Sequence, residues 1–257
     1  MTGFYTTIAR YYDAENSDKT DDLVMYTDLA DEYGSPILEV GCGTGRVMLH
    51  LAQEGCEVHG IDRDNAMLER AQHKRDALEH LSENLTFYQG DILTYKLDKR
   101  FKMVLLTYNM LTHFHDQETQ LVLMRRLREL ILNEGLLVID VPNAGNAFAS
   151  EDNDAVILER TFIDADSGNI VMQQSVSTLD RAEQLLHVTW IYDEVTEDGT
   201  VKRTLAPVIF RYYFLAEIRL LLQMTGFEVD DVYGDYDGSE YVDGSPRLIV
   251  LAKPKLS

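Results

Sequence analysis

The sequence has no apolar run that approaches the roughly 20 residues needed to cross a membrane. Its first residues, MTGFYTTIARYYD, also lack the basic start, apolar middle and small-residue cleavage site of a secretory signal. We therefore expect a soluble, cytoplasmic protein with no membrane partner.

Cysteine is scarce, since Cys42 and Cys56 are the only two in the chain. Cys42 lies inside a glycine-rich stretch, where a disulfide would restrict a loop, so we expect free thiols in a reducing compartment. His113 and His115 are two residues apart, which suits ligands on a strand better than on the helix predicted there. With no Cys/His cluster at zinc spacing, we predict no metal site.

Basic residues are also scarce: the chain has 23 Lys and Arg and 44 Asp and Glu, which gives a formal charge of -21. Nucleic-acid binding relies on a basic surface and on counterion release. DNA and folded RNA are therefore not expected as partners, and most of the acidity is interpreted as a solvated surface.

The chain of 257 residues is long enough for one domain with an insertion. Apolar runs that alternate with amphipathic segments predict a doubly wound α/β fold with a mainly parallel, seven-stranded sheet. The predicted strands are Ile37 to Val40, Glu57 to Ile61, Leu85 to Gln89, Met103 to Thr107, Leu136 to Val141, Glu228 to Tyr233 and Arg247 to Ala252. Helices are predicted over residues 5–33, from Val47 to about Gly55, over 65–80 and 117–132, and from 215 to 224.

The alternation of predicted strands and helices stops between about residues 156 and 213, where β-rich runs are separated by DADSG, DRAEQ and TEDG. These separators are typical of hairpin turns. Residues 143–213 are therefore predicted to be an inserted antiparallel β-sheet within the single domain 1–257, not an independent domain.

The stretch EVGCGTG places Gly41, Gly43 and Gly45 directly after the first predicted strand. The spacing is G-x-G-x-G, whereas the dinucleotide fingerprint is G-x-G-x-x-G. Glu39 is an acid poorly placed beside a pyrophosphate and better suited to a cation or an ammonium group. Both features disfavour an NAD-dependent Rossmann oxidoreductase, which remains an alternative.

The segment ILEVGCGTGRV resembles the first motif of class I S-adenosylmethionine-dependent methyltransferases, which have a Rossmann-like sheet. The resemblance implies that the glycine turn approaches the amino-acid half of S-adenosyl-L-methionine (SAM), that Asp62 binds the ribose, and that Met67 and the Asp91-Ile92 pair meet the adenine. The cofactor-binding set predicted on this resemblance is Glu39, Gly41, Cys42, Gly43, Gly45, Arg46, Asp62, Arg63, Met67, Asp91, Ile92, Thr107 and Asn109. Capping roles for Asp62 and Asp91, and a core role for Met67, stay open.

Further similarity is to small-molecule methyltransferases, carried by Tyr11-Tyr12-Asp13, Arg46 and the segment YNMLTHF from Tyr108 to Phe114. The resemblance implies methyl transfer to a nitrogen or oxygen of a small metabolite. A SAM-binding regulator without turnover is the non-enzymatic alternative. Arg46 could pair with the cofactor carboxylate, Glu39 or Asp13.

His113 and Tyr12 are the candidate catalytic residues, because either could accept a proton from a neutral amine directly or through water. A helix starting near Asn109 would put Asn109 and His113 on one face. A packing role for His113 is the alternative, and His115 is expected to face solvent. Tyr11 and Tyr12 are interpreted either as a flap over the cofactor or as packing residues.

The insert is predicted to be a lid over the acceptor pocket, because it leaves the sheet at the ligand-binding edge. Its proposed wall consists of Trp190, Tyr192, Arg211, Tyr212 and Tyr213. A dimer face built from the same residues, and hence a homodimer, is the alternative.

Overall fold

The computed structural model describes residues 3–78, 83–145 and 155–256. The helices are α1 (Phe4–Glu15), α2 (Asp21–Tyr33), α3 (Arg46–Gln53), α4 (Asn65–Asp76), α5 (Gln117–Leu130) and α6 (Leu215–Met224). The strands are β1 (Ile37–Val40), β2 (Val58–Asp62), β3 (Leu85–Gln89), β4 (Phe101–Leu106), β5 (Ile131–Pro142), β6 (Ile157–Ile163), β7 (Ile170–Asp180), β8 (Leu185–Val195), β9 (Val201–Arg211), β10 (Phe227–Tyr233) and β11 (Arg247–Pro254).

Seven strands form one sheet in the order β10-β11-β5-β4-β1-β2-β3. The five strands β5, β4, β1, β2 and β3 are parallel to one another, and β11 lies antiparallel between β5 and β10. Continuous apolar runs such as MVLL in β4 suit a sheet covered on both faces, and separate hydrophobic clusters pack on its two sides. The predicted Rossmann-like, mainly parallel seven-stranded sheet is confirmed.

The single helix predicted over residues 5–33 is wrong, because two helices occupy that region. α1 ends at Glu15, and the Asn16 N–H closes it by donating to the Tyr12 carbonyl. The polar segment NSDKT follows before Asp21 and Asp22 open α2, where acidic groups suit the helix dipole. Residues 79 and 80 of the predicted helix 65–80 lie outside the described residues.

The insert forms a second, antiparallel sheet in the order β6-β7-β8-β9. Its turns fall where the sequence predicted them, with Gly168 and Gly199 at positive φ in the first and last. Residues 146–154 of the predicted insert lie outside the described residues. One face of this sheet packs on α1 through an apolar cluster that includes Ile8, Tyr11 and Tyr192.

We find no helix in the described ranges that combines the length and the hydropathy of a membrane span. Cys42 and Cys56 are both free thiols.

Candidate active site

A cavity of about 510 Å³ lies at the edge of the large sheet where β1, β2, β3 and β4 end. Parallel α/β sheets bind ligands at this edge. The cavity brings together most of the site residues predicted from the sequence: Tyr12, Glu39, Gly41, Cys42, Gly43, Arg46, Asp62, Arg63, Met67, Asp91, Ile92, Thr107 and His113. Gly45 and Asn109 are outside this lining.

The glycine turn after β1 forms the floor of the cavity. Gly41, Gly43 and Gly45 all have positive φ, at 71°, 53° and 82°. A Cβ on Gly43 would lie 3.4 Å from Met67 Cε, and one on Gly41 would collide with the Met110 side chain. The three glycines therefore serve both backbone conformation and close approach.

Glu39 is buried beneath this floor, 3% exposed. Its carboxylate accepts hydrogen bonds from the Met48 N–H at 3.0 Å and the Thr107 hydroxyl at 2.8 Å. Burial raises the pKa of Glu39 to about 7, although these two hydrogen bonds and nearby Arg46 act in the opposite direction. A cation bound in the cavity would favour the ionised carboxylate.

Asp62, the last residue of β2, aims its carboxylate at the same cavity. One oxygen accepts from the Gly43 N–H and the other from the Asp64 N–H, both at 2.8 Å. Because a carboxylate accepts about four hydrogen bonds, it retains capacity for hydroxyl donors. Asp64, not Asp62, caps α4 by accepting from the Met67 N–H.

The cavity wall beyond Asp62 combines apolar and acidic groups. Met67 and Ile92 are buried and line it. Asp91 caps its own turn by accepting from the Leu93 N–H at 3.0 Å, and its second oxygen lies 3.7 Å from the exposed Arg63. Asp91 therefore both caps its own turn and lines the cavity.

Arg46 lines the cavity but is bound to Asp22, a partner that none of the sequence alternatives included. Its guanidinium donates to both Asp22 oxygens, at 2.5 and 2.6 Å, and to the Lys19 carbonyl. Asp13, one of the expected partners, instead accepts from Thr44 and Lys74. Arg46 thus joins the start of α2 to the glycine turn.

The segment after β4 forms a single 3₁₀ turn, Met110–His113, so the longer helix expected from Asn109 is wrong. Tyr108 and Asn109 precede it with positive φ, at 41° and 71°. Arg247 donates to Asn109 Oδ1 at 2.8 Å. The Asn109 Oδ1 therefore accepts from Arg247, and Asn109 is not among the residues that line the cavity.

Buried Asp140 holds this strained segment in place, and sequence reasoning missed it. It accepts from Arg247, from the Tyr108 N–H and from the hydroxyls of Tyr26 and Tyr236. A lone acid inside the apolar run LLVIDV was the available signal, because a buried charge requires partners.

Helix α1 covers one side of the cavity with Phe4, Tyr5 and Tyr12. Thr44 binds Asp13 near the end of α1, and Thr6 binds Asp64 near its start. Four neutral side chains face the cavity from this side, and we call them the roof: Phe4, Tyr5, Tyr12 and His113.

Within the roof, the Tyr5 hydroxyl lies 2.7 Å from His113 Nε2. Burial lowers the pKa of His113 to about 4, with a smaller contribution from His115. Burial likewise raises the pKa of Tyr12 above its ordinary value. Both sequence candidates for catalysis are therefore neutral at pH 7, and Tyr5 is a roof residue that the sequence analysis did not single out.

The insert residues expected to form an aromatic wall are not among those that line this cavity, and the lid over the acceptor pocket stays a prediction. Tyr192 stacks on Tyr11 at 4.8 Å, Arg211 pairs with Glu217, and the Tyr213 hydroxyl donates to the Phe114 carbonyl. Tyr11 is buried in the same cluster, so the roof receives Tyr12 alone from the Tyr11-Tyr12 pair. His115, expected to face solvent, is partly buried and lies 2.9 Å from the Ile209 carbonyl.

Comparison with known proteins agrees with this geometry. The model of the methyltransferase-domain family matches residues 37–135. Cypemycin N-terminal methyltransferase from a Streptomyces species is 26% identical over 219 residues, covering 85% of this chain and 82% of that protein. The structure of the CcbJ methyltransferase from Streptomyces caelestis superposes with a TM-score of 0.84 at 24% identity, covering 99% of both chains.

A further similar structure is CalS10, a SAM-bound amino pentose methyltransferase from Micromonospora echinaspora. It has a TM-score of 0.70 at 17% identity and covers 94% of each chain. The fold, the glycine turn and the strand-end acids define a SAM-dependent methyltransferase. The chain is therefore a SAM-dependent methyltransferase with a methyltransferase domain over residues 37–135, and its cofactor is SAM.

The described residues fit this cofactor. The buried Glu39 carboxylate suits the positive charge of SAM, Asp62 retains lone pairs for hydroxyls, and a Cβ at Gly43 would fill space beside Met67. Residue-level assignments to parts of the cofactor remain predictions, and two experiments test them.

Asp62→Ala is expected to weaken SAM binding roughly ten- to a hundred-fold. The reason is the loss of charge-assisted hydrogen bonds worth about 1.5 to 3 kcal/mol. Titration calorimetry on the folded variant measures this. Asp198→Ala, which removes the Thr200 cap in the β8–β9 turn, is the control for losing a capping carboxylate elsewhere. Equal SAM affinity in wild type and Asp62→Ala would remove Asp62 from the site.

SAM binding is expected to release a proton near pH 6 to 7, the range set by a Glu39 pKa of about 7. The bound cation lowers this pKa, so SAM affinity should rise with pH until Glu39 is ionised. The free energy of unfolding should change in the opposite direction. The Glu39 pKa is higher in the folded protein than in the unfolded chain, so the folded protein loses stability as the pH rises from about 4.5 to 7.

Calorimetry in two buffers of different ionisation enthalpy counts the protons released on SAM binding. Glu15 is the necessary comparison, because burial also raises its pKa to about 7. Glu39→Gln should lose the proton release, and Glu15→Gln should keep it. The reverse pattern would show that the proton released on SAM binding comes from Glu15 of α1.

Proposed function

We propose that this enzyme transfers the methyl group of SAM to the nitrogen of a small-molecule amine. The observation that carries the proposal is the neutral roof, in which His113 has a pKa of about 4 and Tyr12 keeps its proton. A hydroxyl acceptor must lose its proton to become a good nucleophile, which needs a competent base. An amine with a free lone pair needs none before attack.

SAM supplies a methyl group already activated by its sulfonium. The chain's own task is therefore to align the acceptor and to exclude water. The buried Glu39 offers a negative charge under the floor, Asp62 offers hydrogen-bond acceptors at the wall, and α1 covers the cavity with aromatic side chains. Aromatic faces also suit a positively charged group.

Two kinds of observation support a small amine as the acceptor. The names of the cypemycin N-terminal methyltransferase and of the amino pentose methyltransferase both point to amino groups. The formal charge of -21 disfavours nucleic acid as the substrate. His113 as a proton acceptor, the role proposed from sequence, is weakened by its lowered pKa.

Methyl transfer from labelled SAM to matched amine and alcohol pairs tests the proposal. Suitable pairs are 3-amino-3-deoxyglucose with glucose and glycine with glycolate. We expect transfer to at least one amine and not to its alcohol partner. Preferential transfer to the alcohol would overturn the choice of nitrogen.

Thermal shift separates the alternatives to this function. SAM and S-adenosylhomocysteine should stabilise the fold, and NAD should not. Stabilisation by SAM without transfer to any amine or alcohol in an extended metabolite panel would favour the regulator.

A further inference from the structure

Tyr5 and His113 come from distant parts of the chain and meet at the cavity. The Tyr5 hydroxyl and His113 Nε2 are 2.7 Å apart, a normal hydrogen-bond distance. The two rings also meet edge to face at 5.4 Å. Both side chains line the cavity that holds the predicted cofactor residues.

Neighbouring rings fix this pair from both sides. Phe210 of the insert packs edge to face on His113 at 5.3 Å, while Phe4 and Tyr12 pack on Tyr5 at 4.9 and 6.2 Å. Such contacts restrict the orientation of each ring. The Tyr5 hydroxyl is thereby held at one place in the roof.

We infer that Tyr5 accepts a hydrogen bond from the acceptor's N–H and that His113 positions Tyr5 for this contact by accepting the Tyr5 proton in a hydrogen bond. The inference rests on the proposed N-methyltransferase function and narrows the substrate to primary and secondary amines. Tyr5 touches the acceptor, whereas His113 acts through Tyr5 as a positioning residue.

The direction of the Tyr5–His113 hydrogen bond decides what the roof offers to an amine. If Tyr5 donates to Nε2, its remaining lone pairs accept from an N–H and leave the amine lone pair free to attack. If Nε2–H donates instead, the Tyr5 O–H points elsewhere and would bind the amine lone pair, blocking attack. In this second arrangement Tyr5 keeps one lone pair for an N–H but presents its O–H as a competing donor, so the first arrangement suits methyl transfer better.

The surrounding charges favour a neutral pair. Burial raises the pKa of Tyr5, and the groups it faces add to this: Tyr12 and Glu15 of α1, Asp62 at the end of β2 and Tyr108 after β4. Burial lowers the His113 pKa to about 4, and the neighbouring His115 contributes to the same shift. Proton transfer from Tyr5 to His113 is therefore disfavoured, and the pair orients the acceptor instead of removing its proton.

Nitrogen-15 NMR of the imidazoles tests the pair without needing the acceptor. In wild type with S-adenosylhomocysteine bound, we expect His113 as the neutral tautomer with the proton on Nδ1, and still neutral at roughly pH 5. Tyr5→Phe should shift the Nε2 resonance by removing its hydrogen bond. A proton on Nε2, or an imidazolium at pH 7, would overturn the inference.

Steady-state kinetics on an amine that the wild type methylates gives the second test. Tyr5→Phe is expected to lower kcat/KM about ten-fold, the usual effect of one lost hydrogen bond. Its pH profile should keep the wild-type shape, because the pair removes no proton. Tyr88→Phe is the matched control, since it removes a 2.9 Å hydrogen bond to His59 away from the cavity and should leave kcat/KM unchanged.

The methylation state of the products gives a third readout. With 3-amino-3-deoxyglucose and its N-methyl and N,N-dimethyl forms, wild type should use the first two and fail with the third, which has no N–H as a free amine. Efficient formation of the quaternary product would contradict the N–H contact. Failure with every amine would contradict the proposed function, whereas the NMR result bears on the pair alone.

Discussion

Gly43→Val is expected to abolish SAM binding, lowering affinity at least about a hundred-fold. Gly43 has a φ of 53°, which a β-branched residue adopts only under strain. Its Cβ would start 3.4 Å from Met67 Cε, and the branches of valine would extend into the cavity. The Gly43 N–H also donates to Asp62, so a shifted turn would disturb a second predicted contact.

The control for backbone strain is Gly55→Val. Gly55 has a φ of 90° in the turn after α3, and a Cβ there meets nothing within 4 Å. Both variants should lose stability, but only Gly43→Val should lose SAM binding in calorimetry. Normal SAM binding by a folded Gly43→Val variant would show that this turn is not the contact surface.

The sheet and its ligand edge could be predicted from sequence because their signals are local. Apolar runs such as MVLL define strands without knowledge of their partners, and an acid at the carboxyl end of a parallel strand, such as Asp62, lies at a known edge. The glycine spacing from Gly41 to Gly45 identifies a turn for the same reason. These features share one property, that each is contained within a few consecutive residues.

Several features that the sequence did not predict depend on partners far away in the chain. Arg46 pairs with Asp22, and Asp140 with Arg247, and neither pairing has a spacing that identifies it in advance. The helix predicted after Asn109 fails because Asp140 and Arg247 hold that segment in a left-handed turn. Tertiary contacts override local propensity there.

Tyr5 could not be identified as a cavity residue from the sequence for a related reason. On α1, Tyr5 and Tyr12 are seven residues apart and share a face, while Ile8 and Tyr11 share another. Both faces are apolar or aromatic, so periodicity alone cannot tell the cavity from the insert. The structure resolves this by packing Ile8 and Tyr11 against the second sheet.

We propose that the insert supports α1 and that α1 covers the cavity. In this role the insert contributes no wall to the cavity itself. Tyr192 of β8 is fully buried, stacks on Tyr11 and donates to Glu15 at 2.8 Å. Arg10 of α1 pairs with Asp164 and Glu194 of the insert. The roof is thus attached to the second sheet through neighbouring positions on the same helix.

The alternative is that the insert serves as a dimer face. Apolar side chains on its strands are half-exposed, including Ile163, Ile170 and Leu205. Leu205→Asp tests this surface, because a buried charge would break a dimer formed there. Under the support proposal, light scattering should give the same mass for this variant as for wild type.

Tyr192→Ala is expected to weaken SAM binding at least about ten-fold while leaving the molecular mass in solution unchanged. Loss of a buried aromatic side chain costs about 3 to 5 kcal/mol, and here the loss falls on the contact that holds α1 over the cavity. Tyr192→Phe keeps the stacking and loses only the hydrogen bonds of the hydroxyl with Glu15 and Gln173, so it should retain most of the SAM affinity and show that the site tolerates substitution. Calorimetry and light scattering on both variants decide the matter. Unchanged SAM affinity in Tyr192→Ala would separate the insert from the site, and a fall in mass would assign it to assembly.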